Sequence, residues 1–248
     1  MTIEKLQKLK LMGFIDSLNE IISNTTIDLS LVEAIDHMTD RELLERKNRK
    51  QRRLLKSAKL RYPNALISEI DYKQKRSFNA TQFRELTHCE WVSKFRNVIL
   101  SGPTGVGKSY LACALGNQAC QQMYSVKYYR VARLINALAL SHADGSYTKI
   151  LEQLSKVSLL ILDDWGIDQL DRQARRDLLE VLEDRSERLS TIITTQLPIT
   201  QWHQFIGDDT IADAICDRVI NNSYQIEITG ESMRGVKNLT AVEHLVVS

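Results

Sequence analysis

Proline is almost missing from this sequence, with three in 248 residues, and glycine is scarce at ten. That scarcity disfavours turn-dense all-β folds and favours a helix-rich one. No apolar run approaches the roughly twenty residues a membrane-spanning helix needs. The N-terminal "MTIEKLQKLKLMGF" is charged and amphipathic, with no continuous apolar core and no small-residue cleavage site, so a secretory signal is not expected. Cys89, Cys113, Cys120 and Cys216 form no C-x-x-C pair and have no histidines at metal spacing. Reduced, mostly buried thiols in a cytoplasmic protein are the expectation. The formal net charge is only +2. What distinguishes the chain is where its charges sit and where its few glycines fall.

Three of those glycines lie in "LSGPTGVGKSYLA", which reads G-x-x-x-x-G-K-S from Gly102 to Ser109. The apolar, β-branched "NVIL" precedes it and a stretch with helical apolar spacing follows. Strand, glycine loop and helix together make a phosphate-binding loop. Glycines let backbone N–H groups turn onto phosphate oxygens, and the helix N-terminus adds partial positive charge. The cradle runs over Gly102, Pro103, Thr104, Gly105, Val106, Gly107, Lys108, Ser109 and Tyr110. Lys108 is placed to reach the β and γ phosphates, and the Ser109 hydroxyl to ligate Mg²⁺.

"VSLLILDDWG" is an apolar strand ending in two acids, the Walker B pattern. Asp163 at the strand tip can hold the hydration shell of Mg²⁺, and Asp164 can orient an attacking water. Another strand in "RSERLSTIITTQLP" ends in Thr195 and Gln196, either of which can sense a γ-phosphate. Arg218 falls on an expected helix, and Arg234 follows a strand from Tyr224 to Ile228. A planar guanidinium suits the charge of a phosphoryl transition state.

Upstream, "RKNRKQRRLLKSAKLR" carries Arg46, Lys47, Arg49, Lys50, Arg52, Arg53, Lys56, Lys59 and Arg61 with no acid among them. The composition predicts one helix ending at Tyr62-Pro63. Cations this dense repel one another unless a polyanion neutralises them, and duplex DNA does so with counterion release. The absence of interleaved aromatics points to phosphate contacts over base stacking. A merely solvated surface helix is the competing reading. Two further helices are expected before it, in "IEKLQKLKLMGFIDSLNEII" and "SLVEAIDHMTDRELLER". Phe78, in the following linker, is a weak candidate for an adenine contact beside a plain packing role.

"GPTGVGKSYLA", "LLILDDWG", "STIITTQLP", "ADAICDRV" and "GESMR", in this order, resemble the AAA+ ATPases. More narrowly they resemble the IstB/DnaC-like family, which holds the ATP-binding subunits of insertion-sequence transposition systems and the replicative helicase loaders. The transposition branch is the nearer of the two. The resemblance implies an α/β AAA+ core, a parallel sheet flanked by helices, over residues 97–248. It implies a small all-α, basic N-terminal domain over residues 1–66 for DNA binding and oligomerisation, and a linker with the start of the core over residues 67–96. It makes Asp163-Asp164 the Walker B pair and gives sensor 1 to Gln196 or Thr195. Arg218 becomes the arginine finger acting on a neighbouring subunit, and Arg234 becomes sensor 2. Arg185 and Arg188 are rival fingers. The expected cofactors are ATP and Mg²⁺. The expected partners are duplex DNA, further copies of the chain and a transposase, in a bacterial cytoplasm and associated with the nucleoid. A helicase loader acting on a replicative helicase is the alternative, and a small-molecule kinase is disfavoured for want of an acceptor lid. Two departures stand out. Asp164 occupies a place where most AAA+ proteins carry Glu, which implies slow hydrolysis. The chain also leaves little room after Arg234 for a helical lid.

Overall fold

The computed structural model describes residues 2–24, 29–70 and 76–233, which form two compact units, Met1–Lys56 and Ser57–Ser248. The elements run α1 (Thr2–Lys8), α2 (Met12–Ser23), α3 (Leu31–Ala58), β1 (Arg76–Ser77), α4 (Ala80–Leu86), α5 (Glu90–Ser93), β2 (Asn97–Ser101), α6 (Lys108–Gln121) and β3 (Val126–Arg130). They continue with α7 (Val131–Asp144), α8 (Tyr147–Leu154), β4 (Leu159–Trp165), α9 (Arg172–Glu183), β5 (Ser190–Thr195), α10 (Trp202–Ile206), α11 (Asp209–Ile220), β6 (Ser223–Glu227) and β7 (Thr229–Gly230).

The first unit differs from the sequence expectation in two ways. The first expected helix is broken into α1 and α2, with Lys10 in the left-handed region (φ 58°) at the break. The break exposes the first N–H groups of α2, and Glu42 takes them. Its Oε2 accepts from Gly13 N at 2.8 Å and from Phe14 N at 3.3 Å. Gly13 is required there, because a Cβ would lie 2.7 Å from the Arg41 carbonyl oxygen. The second difference is continuity. The expected second and basic helices are one helix, α3, of 28 residues. Ser30 and Glu33 open it with a reciprocal cap, Ser30 N to Glu33 Oε2 at 2.9 Å and Glu33 N to Ser30 Oγ at 3.4 Å. It ends at Ala58, short of Tyr62-Pro63, where Lys59 turns left-handed (φ 52°).

The second unit is built on a five-stranded sheet in the order β3-β4-β5-β2-β6, parallel throughout. A parallel sheet is covered on both faces, and its central strands should read as unbroken apolar runs. Leu159, Leu160, Ile161 and Leu162 of β4 are fully buried, as are Ile192 and Ile193 of β5. Trp165, Trp202 and Phe205 add an aromatic cluster, with the two indole rings 5.3 Å apart. Phe78 packs edge-on against Phe83 at 5.6 Å. A short antiparallel ribbon pairs β1 with β7.

The second unit begins earlier than the expected boundary at residue 66. Asn117 of α6 donates through Nδ2 to the carbonyls of Pro63 and Ala65, both at 3.1 Å, and Leu60 and Ala65 are buried. These contacts lay residues 59–70 along α6 as a strap. The cysteines are free, and burial pushes the thiols of Cys89 and Cys120 up to about 12 and that of Cys113 to about 11. No described helix is long and apolar enough to cross a membrane.

Candidate nucleotide site

β2 runs into the glycine loop and the loop into α6. Gly102 takes φ 142°, and a Cβ there would stand 2.0 Å from the Ile228 carbonyl oxygen. The loop is thus held against the end of β6 by a contact only glycine permits. Gly107, at φ 96°, turns the chain into α6. Val106 anchors the loop in the core at 0% exposure, while Pro103 and Thr104 stay exposed. Lys108 is 8% exposed, and its Nζ donates to the carbonyls of Gly102 and Pro103, each at 2.7 Å. Its ammonium therefore already lies inside the cradle. Tyr110, in the first turn of α6, donates to Glu69 Oε2 at 3.0 Å.

Asp163, at 0% exposure, is the hub. Its Oδ1 accepts from Ser109 Oγ at 2.7 Å and from Thr194 Oγ1 at 2.5 Å. Its Oδ2 accepts from Tyr128 OH at 2.5 Å and pairs with Arg61 Nη1 at 3.4 Å. Burial, and then the bond to Asp163, push the Tyr128 phenol far up, so it stays a donor. The register of β4 on β5 shifts between Leu162 and Trp165, and Asp164 is left-handed there (φ 64°). Such an irregularity re-aims a side chain, and the two acids take different hydrogen-bond partners, although both lie within reach of Arg61 Nη1. Asp164 N donates to Thr194 Oγ1 at 3.1 Å, and its carboxylate accepts from Arg130 Nε at 2.8 Å.

Tyr128, Thr194, Arg130 and Arg61 are site residues the sequence reading missed. The first three sit on β3 and β5, which flank β4, and Arg130 pairs in register with Asp163. Strand order would have found them, and strand order is not legible in local periodicity.

The expected sensor residues separate. Thr195 is buried, donates to the Trp165 carbonyl at 2.9 Å and accepts from Leu197 N at 3.0 Å. Gln196 is exposed just past the end of β5. Arg234 lies outside the described residues. Met233, the last described residue, donates its N–H to the Gly105 carbonyl at 2.9 Å.

Arg218 donates Nη1 to Ala214 O at 2.8 Å and forms an ion pair through Nε with Glu183. Its own carbonyl accepts from Asn97 Nδ2 at 3.1 Å. Asn97 begins β2 and the glycine loop follows the end of β2, so the backbone of Arg218 and the loop lie at opposite ends of a five-residue strand, about 13 Å apart at 3.3 Å per residue. Arg185 is at that far end too, but enclosed at 1% exposure. It donates to the carbonyls of Leu154 (2.5 Å), Val157 (2.9 Å) and Ser190 (2.6 Å). Burial lowers it to about 9, still protonated at neutral pH. As a rival finger it is therefore corrected to an internal brace. Arg188 is exposed.

The basic set divides. Arg46 pairs with Glu42 at 2.7 Å, and Arg49 and Arg52 pair with Glu45 at 3.8 and 2.9 Å. These acids precede the run, which is why counting within it missed them. Lys47, Lys50, Arg53 and Lys56 are exposed on α3 with no ion pair among the described residues. Lys59 and Arg61 lie beyond the helix, and Arg61, expected among the helical cations, pairs with Asp163.

The site fits Mg²⁺ bound with a nucleotide. A hydroxyl and a fully buried carboxylate meet 2.7 Å apart at the head of a glycine cradle that holds a lysine. No group of three or more His, Cys, Asp or Glu able to hold a metal occurs among the described residues. Mg²⁺ typically uses one or two protein oxygens and completes its shell with water and phosphate.

Fold and site together define a P-loop NTPase core of the AAA+ type. The chain belongs to the family described as IstB-like ATP binding protein, whose model matches residues 4–241. It is 45% identical over 234 residues to a protein named as insertion sequence ATP-binding protein y4pL, of Sinorhizobium fredii (strain NBRC 101917 / NGR234), covering 94% of this chain and 95% of that one. It is 43% identical over 198 residues to a protein named as the ATP-binding protein of insertion sequence IS1162, of Pseudomonas fluorescens, covering 79% and 86%. The crystal structure of DnaI shares the fold, with a TM-score of 0.60 and 24% identity over 72% of this chain and 94% of that one.

Proposed function

We propose that the protein is a Mg²⁺-dependent ATPase that assembles on duplex DNA when ATP is bound and assists the transposase of an insertion sequence. The observation that carries the nucleotide part is the Ser109–Asp163 pair at the head of the glycine loop. The transposition part is supported by the relatives, which bear the names of insertion-sequence ATP-binding proteins.

In this reading Lys108 leaves the Gly102 and Pro103 carbonyls for the β and γ phosphates. Ser109 and Asp163 hold Mg²⁺, which when bound neutralises charge on the phosphate oxygens. Asp164 orients the attacking water once Arg130 releases it, and its shorter reach relative to Glu makes turnover slow. Gln196 reports on the γ-phosphate. Arg218, remote from its own cradle, leaves Glu183 to complete the site of a neighbouring copy, and Arg234 acts in cis. The cations of α3 without acid partners meet DNA phosphates and do not read bases.

The test is a strand-transfer assay with the transposase of the same element, DNA, ATP and Mg²⁺. Stimulation by wild type and none by Lys108→Ala is the expected result. Equal transposition with and without the protein would refute the assignment.

A further inference from the structure

Arg61 belongs by sequence to the basic run but by contact to the nucleotide site. After Lys59 turns the chain off α3, the strap of residues 59–70 is fixed to α6, the helix that begins with Lys108 and Ser109. Leu60 is buried so close to Gly116 that a Cβ there would lie 3.1 Å from its Cδ2. Asn117 holds the Pro63 and Ala65 carbonyls, and the Tyr62 ring lies 5.9 Å from that of Tyr110. So mounted, Arg61 crosses to the Walker B acids. Its Nη1 is 3.4 Å from Asp163 Oδ2 and 3.9 Å from Asp164 Oδ2.

The hydroxyls of Ser109, Thr194 and Tyr128 fill three of the roughly four lone-pair sites of Asp163 but leave its charge unbalanced. A fully buried carboxylate needs a counter-charge, and Arg61 brings one. Mg²⁺ arriving with a nucleotide brings a second cation to the same carboxylate. Two cations beside one acid repel, the more so where water is excluded.

We propose that Arg61 is a positioning residue of the nucleotide site: it is the resident counter-cation of Asp163, while Arg130 pairs with Asp164, and it competes with Mg²⁺ for Asp163 and thereby sets the Mg²⁺ concentration at which nucleotide is held. It does not contribute a DNA phosphate contact. This inference rests on the site being one for Mg²⁺ and ATP.

The experiment uses the full chain as wild type, Arg61→Gln and Arg61→Lys. Binding of a fluorescent ATP analogue is followed while Mg²⁺ is titrated. Removing the charge should lower the Mg²⁺ midpoint about fivefold or more. Arg61→Lys, which keeps the charge, should stay within about twofold of wild type. Duplex affinity across a salt series should give the same slope for Arg61→Gln as for wild type. A slope shallower by about 0.9 would make Arg61 a phosphate contact and overturn the proposal. A midpoint unchanged or raised in Arg61→Gln, with wild type binding the analogue normally, overturns this inference alone. Failure of wild type to bind the analogue at any Mg²⁺ concentration overturns it together with the reading of the site.

Discussion

Arg130 Nε stands 2.8 Å from the Asp164 carboxylate, so the acid assigned to the attacking water is tied to the neighbouring strand. Arg130→Ala should free it. Asp164→Asn should keep nucleotide affinity within about twofold and lower ATP turnover about a hundredfold, the usual scale for a lost general base. Phosphate-release kinetics with parallel binding of a fluorescent analogue separate the two effects. Wild-type turnover in Asp164→Asn would remove that residue from the role.

How much of this site was legible beforehand depends on whether a residue's role is local. Gly102 to Ser109 and Asp163-Asp164 announce themselves because a cradle and a strand tip are short-range features. Tyr128 and Thr194 reach Asp163 only because β3 and β5 flank β4. Arg61 lies 102 residues from Asp163 in sequence. The break between α1 and α2 was hidden for the same reason, since its compensation comes from Glu42, 29 residues from Gly13. The basic helix differs in extent because it continues an upstream helix and ends where Lys59 turns left-handed, and its charge is partly balanced because Glu42 and Glu45, just before the run, pair with Arg46, Arg49 and Arg52.

Lys108→Ala removes the ammonium from the cradle and leaves the Gly102 and Pro103 carbonyls without their donor. ATP affinity should fall at least about a hundredfold, on the scale of a lost charge-assisted contact. Isothermal titration calorimetry checks it, and retained affinity would show that the loop is not the nucleotide cradle.

Arg185→Met should behave as a core lesion. Three carbonyls lose their donor, at about 1–3 kcal/mol for each buried group left unsatisfied. A net loss of about 3 kcal/mol corresponds to a Tm lower by about 10 °C. Below that Tm, ATP-dependent self-association should persist. Normal stability with lost association would restore Arg185 as the finger.

Glu42 makes the first unit sensitive to acid. Burial by itself raises its pKa, but Arg46 and the N–H groups of Phe14 and Gly13 outweigh burial and hold it below the ordinary 4.5. A carboxylate depressed on folding contributes stability that is complete above the unfolded value and is lost as pH falls through the folded one. Thermal melts should therefore be insensitive to this group above pH about 5 and weaken below about 4.5. Glu42→Gln should flatten that part of the profile. An unchanged acid limb in Glu42→Gln would place the sensitivity elsewhere.

In the proposed function ATP joins one copy of the chain to the next through Arg218, whose backbone lies at the far end of β2 from its own glycine loop. Sedimentation velocity with a non-hydrolysable ATP analogue, Mg²⁺ and a duplex too long for one copy to cover tests this directly. Wild type should form assemblies larger than in nucleotide-free controls, and Arg218→Ala should not, although it binds the analogue normally. Assemblies of equal size with and without nucleotide, or equal growth by Arg218→Ala, would contradict the account.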